Sequence, residues 1–166
     1  MAPPDASRHA ASRHVALSHM DLALVEARAA AERGEVPVGA VVVAADGRIL
    51  AQAGNCTRAD ADPTAHAEIV AIRNACRTLG TERLIDADLY VTLEPCPMCA
   101  AAISFARIRR LYWGAGDPKG GGVEHGPRVF SHATCHHRPE LYPGLAETEC
   151  AELLRRFFAE RRGKIS

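Results

Sequence analysis

Leu89-Tyr90-Val91-Thr92-Leu93-Glu94-Pro95-Cys96-Pro97-Met98-Cys99 is the stretch that decides the fold. Residues 89–93 form a short apolar run of the kind buried on both faces of a sheet. The run passes without a linker into Pro95 and Pro97, which are tolerated where a helix begins because the amide hydrogen they lack would have no partner there. A helix is expected to continue through Ala101, Ala102, Ile103 and Phe105. Tight strand-to-helix turns of this kind place reactive groups at the carboxyl end of a sheet. Cys96 and Cys99 stand at i and i+3, on one face of a first helical turn, where they can grip one ion. The positive end of the helix dipole lowers a thiol pKa there, and a metal lowers it further.

A second segment supplies what the cysteines lack. Asp62-Pro63-Thr64 reads as a turn and cap before His66-Ala67-Glu68 and the apolar stripe Ile69, Ile72, Cys76 and Leu79, which Gly80 ends. In a regular helix, positions i and i+2 point about 200° apart. His66 and Glu68 can therefore face one cavity only at a helix entrance. His66, Cys96 and Cys99 then offer three soft ligands, with Glu68 as a carboxylate left off the ion. A structural zinc site is normally closed by four side chains, whereas a catalytic one keeps a position for water, so hydrolytic chemistry leads. Each piece alone has a plainer reading: a redox pair, a core histidine, a solvated helix glutamate. The combination favours a catalytic metal.

Around these segments the chain alternates strand and helix. Residues 1–17 lack apolar periodicity and a secretory core, and read as a mobile tail. A helix is expected over 18–33, capped by Ser18 and stopped by Gly34. Strands follow at 39–44 and 48–52, joined at Asp46-Gly47, then at 108–113, with a short fifth near Leu141. Cys150, Leu153, Leu154, Phe157 and Phe158 recur at helical spacing and describe an amphipathic helix docking by one face. The alternation predicts an α/β protein, a three-layer α/β/α sandwich on a mixed sheet, as a single domain over 18–163. With 166 residues and 48% hydrophobic content, one core is enough. Twenty basic and twenty acidic side chains give zero formal charge, so the chain as a whole does not attract a polyanion, and any such contact must come from a local patch. No stretch is apolar enough to span a membrane. Six cysteines with two in a metal site suit a reducing, cytoplasmic compartment. Cys56, Cys76, Cys135 and Cys150 read as buried thiols, and Cys135-His136-His137 as a loop, not a second metal site.

The metal-site residues resemble the zinc-dependent cytidine-deaminase-like superfamily, and within it the bacterial tRNA-specific adenosine deaminases. Glu35-Val36-Pro37-Val38-Gly39-Ala40, Gly54-Asn55, the segments above and Asp117-Pro118-Lys119 extend the resemblance from about residue 20 to residue 162. It implies a five-stranded sheet and one Zn2+ per subunit on His66, Cys96 and Cys99. Glu68 would be the catalytic proton shuttle as water attacks C6 of the wobble adenosine in a tRNA-Arg ACG anticodon, flipped out of its stack. It also implies that Asn55 contacts the nucleoside and that Val38, Asp117 and Lys119 border the substrate. The backbone around Ala67 and Pro95 would hold the base and its leaving group. Family members form homodimers, and their C-terminal helices approach the tRNA, which points to Arg155, Arg156, Arg161 and Arg162. Arg107, Arg109, Arg110 and Lys119 form a second basic stretch.

The loop Gly120-Gly121-Gly122-Val123-Glu124-His125-Gly126 departs from the family pattern of small residues and a hydroxyl, and receives no role beyond Glu124 and His125 as possible rim residues. Two other readings stay open. One is a deaminase of free guanine, cytosine or nucleosides using the same metal chemistry. The other is a zinc-bearing RNA-binding scaffold without turnover, which would leave Glu68 and the missing fourth ligand without a purpose.

Overall fold

The computed structural model describes residues 17–164. Apart from Leu17, the expected tail lies outside them. The elements are α1 (His19–Glu32), β1 (Gly39–Val43), β2 (Ile49–Gly54), α2 (Ala67–Leu79), β3 (Asp88–Leu93), α3 (Pro97–Phe105), β4 (Arg110–Ala115), a single 3-10 turn (Val129–Ser131), β5 (Glu140–Tyr142) and α4 (Glu147–Gly163). Ser18 caps α1 reciprocally: its hydroxyl accepts the Asp21 N–H, and the Asp21 carboxylate accepts the Ser18 N–H.

The strands form one sheet in the order β2-β1-β3-β4-β5. β1 runs antiparallel to β2 and β3, whereas β3, β4 and β5 are mutually parallel, so the sheet is mixed as expected. All five residues of β1 are buried, because the strand is covered on both faces. Ala40, Val42, Leu89, Val91, Leu111 and Trp113 pack on the side of α2 and α3. Val41, Val43 and Ala115 pack on the other side with Met20, Leu24 and Cys150 from α1 and α4. These are the three layers. Helix and strand approach closely at Gly39, where a Cβ would lie 2.6 Å from the Ala27 nitrogen; only glycine fits beneath α1.

Three elements differ from the sequence expectation. β4 runs over Arg110–Ala115, two residues later than 108–113, because its pairing with β3 begins with Asp88 opposite Arg110 and ends with Leu93 opposite Ala115. β2 extends to Gly54 because Gly39 pairs with Gly54, and the register shifts between Val42 and Val43. In α2, Leu79 is 43% exposed, and the buried face runs through Ala67, Ile69, Ala71, Ile72 and Ala75. Small residues let the helix lie close to the sheet, so the last-turn leucine overhangs it. No helix among the described residues is long and apolar enough to cross a membrane.

Candidate active site

β3 delivers Glu94 and Pro95 at its carboxyl end, and Cys96 then caps α3 in extended backbone (φ −68°, ψ 170°) with Pro97 opening the helix. The first turn of α3 buries Cys99 beside it. His66 caps α2 in the same way (φ −69°, ψ 153°), and its side chain makes no capping hydrogen bond. Its extended backbone resolves the i, i+2 problem: His66 leaves the helix while Glu68 stays in the first turn, and both line one cavity. The Ala67 N–H, a first-turn amide of α2 with no partner within the helix, donates to Asn55 Oδ1 at 2.8 Å.

His66 Nδ1 lies 3.6 Å from Cys96 Sγ and 3.5 Å from Cys99 Sγ, and the three ligand atoms lie within 4.8 Å of one another. A tetrahedral ion with zinc-like bond lengths spaces sulfur and nitrogen about 3.6 Å apart, so the donor set fits such an ion. The three donors differ in their electrostatics. A hydrogen bond from Cys99 to Cys96 holds the Cys96 thiol down at about 4, as a thiolate ready for a cation. The same bond pushes the Cys99 thiol well above its usual range. His66 is raised, first by its hydrogen bond to Cys96.

Two buried carboxylates line the cavity, and their environments are opposite. Glu68 is 3% exposed, and its Oε2 is the one buried side-chain polar atom among the described residues without a hydrogen-bond partner. Burial pushes its pKa up to about 7, which suits a group that must both take and give a proton. Glu94 is 2% exposed but saturated, accepting N–H groups from Asp117, Val123, Glu124 and His125. Burial alone would raise its pKa; these donors together with the His125 ring outweigh that and hold it below the ordinary value.

The cavity measures about 310 Å³ and is walled by Val36, Val38, Asn55, Thr57, Leu93, Asp117 and Gly120. It adjoins a groove of about 880 Å³ that shares Val36, Leu93, Asp117 and Gly120 and adds Lys119, Leu154, Arg155, Phe158 and Arg162. Of the expected substrate residues, Asn55, Val38 and Asp117 line the cavity, whereas Lys119 lies in the groove. Ala67 and Pro95 do not line it: the Ala67 N–H is held by Asn55, and the Pro95 carbonyl accepts the Gly122 N–H.

Of the basic residues, Arg155 and Arg162 line the groove, while Arg156 is exposed outside it. Arg161 instead lies over the Phe157 ring and donates to the Gly34 carbonyl, bracing α4 against the end of α1. In the second basic stretch Lys119 lines the groove, whereas Arg109 and Arg110 are occupied by the fold. Arg109 forms a two-pronged pair with Asp88, and Arg110 pairs with Glu140. Cys135 and His137 also serve structure, since the His137 carbonyl accepts from Ser104 and its ring bonds the Ile108 carbonyl. His66, Cys96 and Cys99 form the only metal-binding cluster found among the described residues.

Sequence reasoning missed Glu94 and Glu35. Glu35 is 1% exposed and accepts from Thr57 Oγ1 and the Arg58 and Ala59 amides, which fixes the loop between Asn55 and the cavity wall. For Glu94 the available signal was an acidic residue between apolar ones at a strand end, which must find donors if buried.

A three-ligand metal site beside a free carboxylate, at the carboxyl end of a mixed sheet, defines the class: a metal-dependent hydrolytic deaminase of the cytidine deaminase fold. The chain belongs to the family of the cytidine and deoxycytidylate deaminase zinc-binding region, matched over residues 14–115, and within it to the tRNA-specific adenosine deaminases. It is 69% identical over 139 residues to a tRNA-specific adenosine deaminase of Agrobacterium fabrum, covering 84% of this chain and 91% of the relative. A solved tRNA:A34 deaminase, from studies of A-to-I editing at the wobble position of transfer RNA, matches with a TM-score of 0.81. It shows 69% identity and covers 82% of this chain and 98% of that one. Guanine deaminase from Bacillus subtilis is similar at 33% identity and a TM-score of 0.59, over 87% of this chain and 92% of that one.

Proposed function

We propose that the protein converts adenosine to inosine at the wobble position of a tRNA anticodon, with the ACG anticodon of tRNA-Arg as substrate. The observation that carries this reading is Glu68: a buried carboxylate with one free oxygen, beside a three-ligand cluster, in a cavity that adjoins a cation-lined groove. His66, Cys96 and Cys99 would hold one Zn2+ per subunit. Bound there, zinc makes water a competent nucleophile near neutral pH.

The chain's own residues supply the rest. Glu68 takes a proton from the attacking water and delivers it to N1 of adenine as C6 becomes tetrahedral; it then carries the remaining hydroxyl proton to the amino group, which leaves C6 as ammonia while the C6 carbonyl of inosine forms. Asn55 holds the helix entrance through Oδ1 and offers Nδ2 to the nucleoside. Val38 and Leu93 give the base an apolar wall. Arg155, Arg162 and Lys119 meet the flanking phosphates, since a polymer substrate must leave the cavity somewhere and phosphate contacts set its position.

The active form is a homodimer. In support, Phe105 is 72% exposed and borders a shallow depression with Ile69, Ile72 and Ala102, a surface suited to a second copy. The protein works in the cytoplasm, where its tRNA substrate is found.

Incubation with an ACG anticodon stem-loop, followed by nucleoside analysis, should yield inosine. A second reading, deamination of a free base, draws on the likeness to guanine deaminase. Turnover of guanine or cytosine with no stem-loop activity would establish that reading instead.

A further inference from the structure

We propose that Glu94 is a positioning residue: its carboxylate fixes the loop over residues 117–125 as one wall of the substrate cavity, and so sets the rate of a reaction whose atoms it does not touch. This inference rests on the deaminase reading above. Both oxygens are engaged. Oε2 accepts the Asp117 N–H at 2.8 Å and bonds His125 Nδ1 at 2.7 Å. Oε1 accepts the N–H groups of Val123 at 3.2 Å, Glu124 at 2.8 Å and His125 at 3.0 Å. One carboxylate thus joins the two ends of the loop. Saturated in this way, it has no lone pair placed to carry a proton, which separates it from Glu68.

The loop is pressed against the ligand helix as well. The Gly122 N–H donates to the Pro95 carbonyl at 2.8 Å, and the Gly121 N–H to the Asp117 carbonyl at 2.9 Å. A Cβ on Gly121 would lie 2.6 Å from the Glu94 carboxyl carbon, and one on Gly122 would lie 2.5 Å from the Pro97 nitrogen. The consecutive glycines are therefore required by close approach. Asp117 and Gly120 from this loop, and Glu68 and Cys96 from the reaction centre, line the same cavity. Glu94 precedes the Pro95-Cys96 ligand turn in the chain, so a single residue ties the substrate wall to the ligand helix in one register.

Glu94→Gln tests this with almost no change in volume. An amide presents one acceptor oxygen and one donor NH2, so in either orientation one end of the loop meets a donor facing a donor. Three quantities are read on the zinc-loaded protein: single-turnover rate per zinc-loaded, folded subunit on the anticodon stem-loop, stem-loop affinity, and amide hydrogen exchange over 117–125. The expected result is a rate lower by about 10- to 100-fold, the loss typical of a reactant misplaced by about 1 Å. Affinity should stay within about threefold, since Arg155 and Arg162 on α4 keep their places in the groove, and exchange in the loop should be faster. His125→Ala, which removes one donor of the five, should give a smaller loss in the same direction. A rate per zinc-loaded subunit within about twofold of wild type, or a change confined to affinity, overturns the proposal. So does a loss explained wholly by missing zinc or unfolding. A wild-type protein inactive on the stem-loop would instead remove the deaminase reading on which the proposal stands.

Discussion

Asn55 has two separable jobs, and two substitutions pull them apart. Its Oδ1 accepts the Ala67 N–H at 2.8 Å, satisfying a first-turn amide of α2 that has no partner within the helix, while its residue lines the cavity. Asn55→Ala leaves a buried helix amide without a partner, at a cost of about 1–3 kcal/mol. Loss of a helix cap costs about 0.5–2 kcal/mol, and because this is the same bond the two ranges are not added. A destabilisation of about 2 kcal/mol corresponds to a fall in Tm of about 4–8 °C for a chain of this size. The first turn of α2 carries Glu68, so activity should fall with it. Asn55→Asp keeps the acceptor at a helix N-terminus, where negative charge is favourable, but loses the Nδ2 donor. Its Tm should stay within about 3 °C of wild type, while kcat/KM on the stem-loop falls about 10- to 100-fold, the worth of about 1.4–2.7 kcal/mol. Differential scanning calorimetry and stem-loop kinetics on the three proteins decide the matter. An alanine variant that melts with wild type, or an aspartate variant as destabilised as the alanine one, would refute the capping argument. A fully active aspartate variant would refute the donor role.

Glu68→Gln should retain one metal per chain by elemental analysis and lose about 10²- to 10⁴-fold in kcat, the usual worth of a general acid–base. Chelation should abolish wild-type turnover, and added Zn2+ should restore it. Glu35 contributes to stability in a pH-dependent way. Burial would raise its pKa, but the Ala59, Thr57 and Arg58 donors together hold it below the ordinary 4.5. The stabilisation is therefore present above about pH 4.5 and is lost as pH falls through the folded-state value. Accordingly, the gap in denaturation midpoint between wild type and Glu35→Gln should be constant near neutrality and shrink on acidification. Arg155→Ala with Arg162→Ala should lower the slope of log affinity against log salt for the stem-loop by about 1 to 2. Arg161→Ala should lower Tm and leave that slope unchanged.

The site was legible where chemistry is carried by spacing along the chain. Cys96 and Cys99 on one helical turn, and His66 at a helix entrance with Glu68 inside it, are local patterns, and the structure brings all four together. The layers were legible too, because β1 and β3 are apolar on both faces and α1 begins at a readable cap. What stayed hidden depends on partners far away in sequence. Glu94 meets amides 23 to 31 residues further on, and backbone donors leave no trace in side-chain identity. Arg109, Arg110 and Arg161 look like free cations in the sequence, yet each is held by a carboxylate or carbonyl that only the fold brings near. Leu79 misled for a different reason: a reading weighted toward large apolar residues discounts the alanines that actually seat α2.

Most of the donors gathered by Glu94 belong to the main chain, at Asp117, Val123, Glu124 and His125. An anchor that reads peptide groups is indifferent to what hangs from them. An outward-facing position such as Glu124 is thus free to drift in sequence or be diversified in a library while the rim keeps its shape, provided that loop length and the two cramped glycines stay as they are. Insertions or deletions, by contrast, should be poorly tolerated there, because a single added residue would throw the row of amides out of step with the carboxylate.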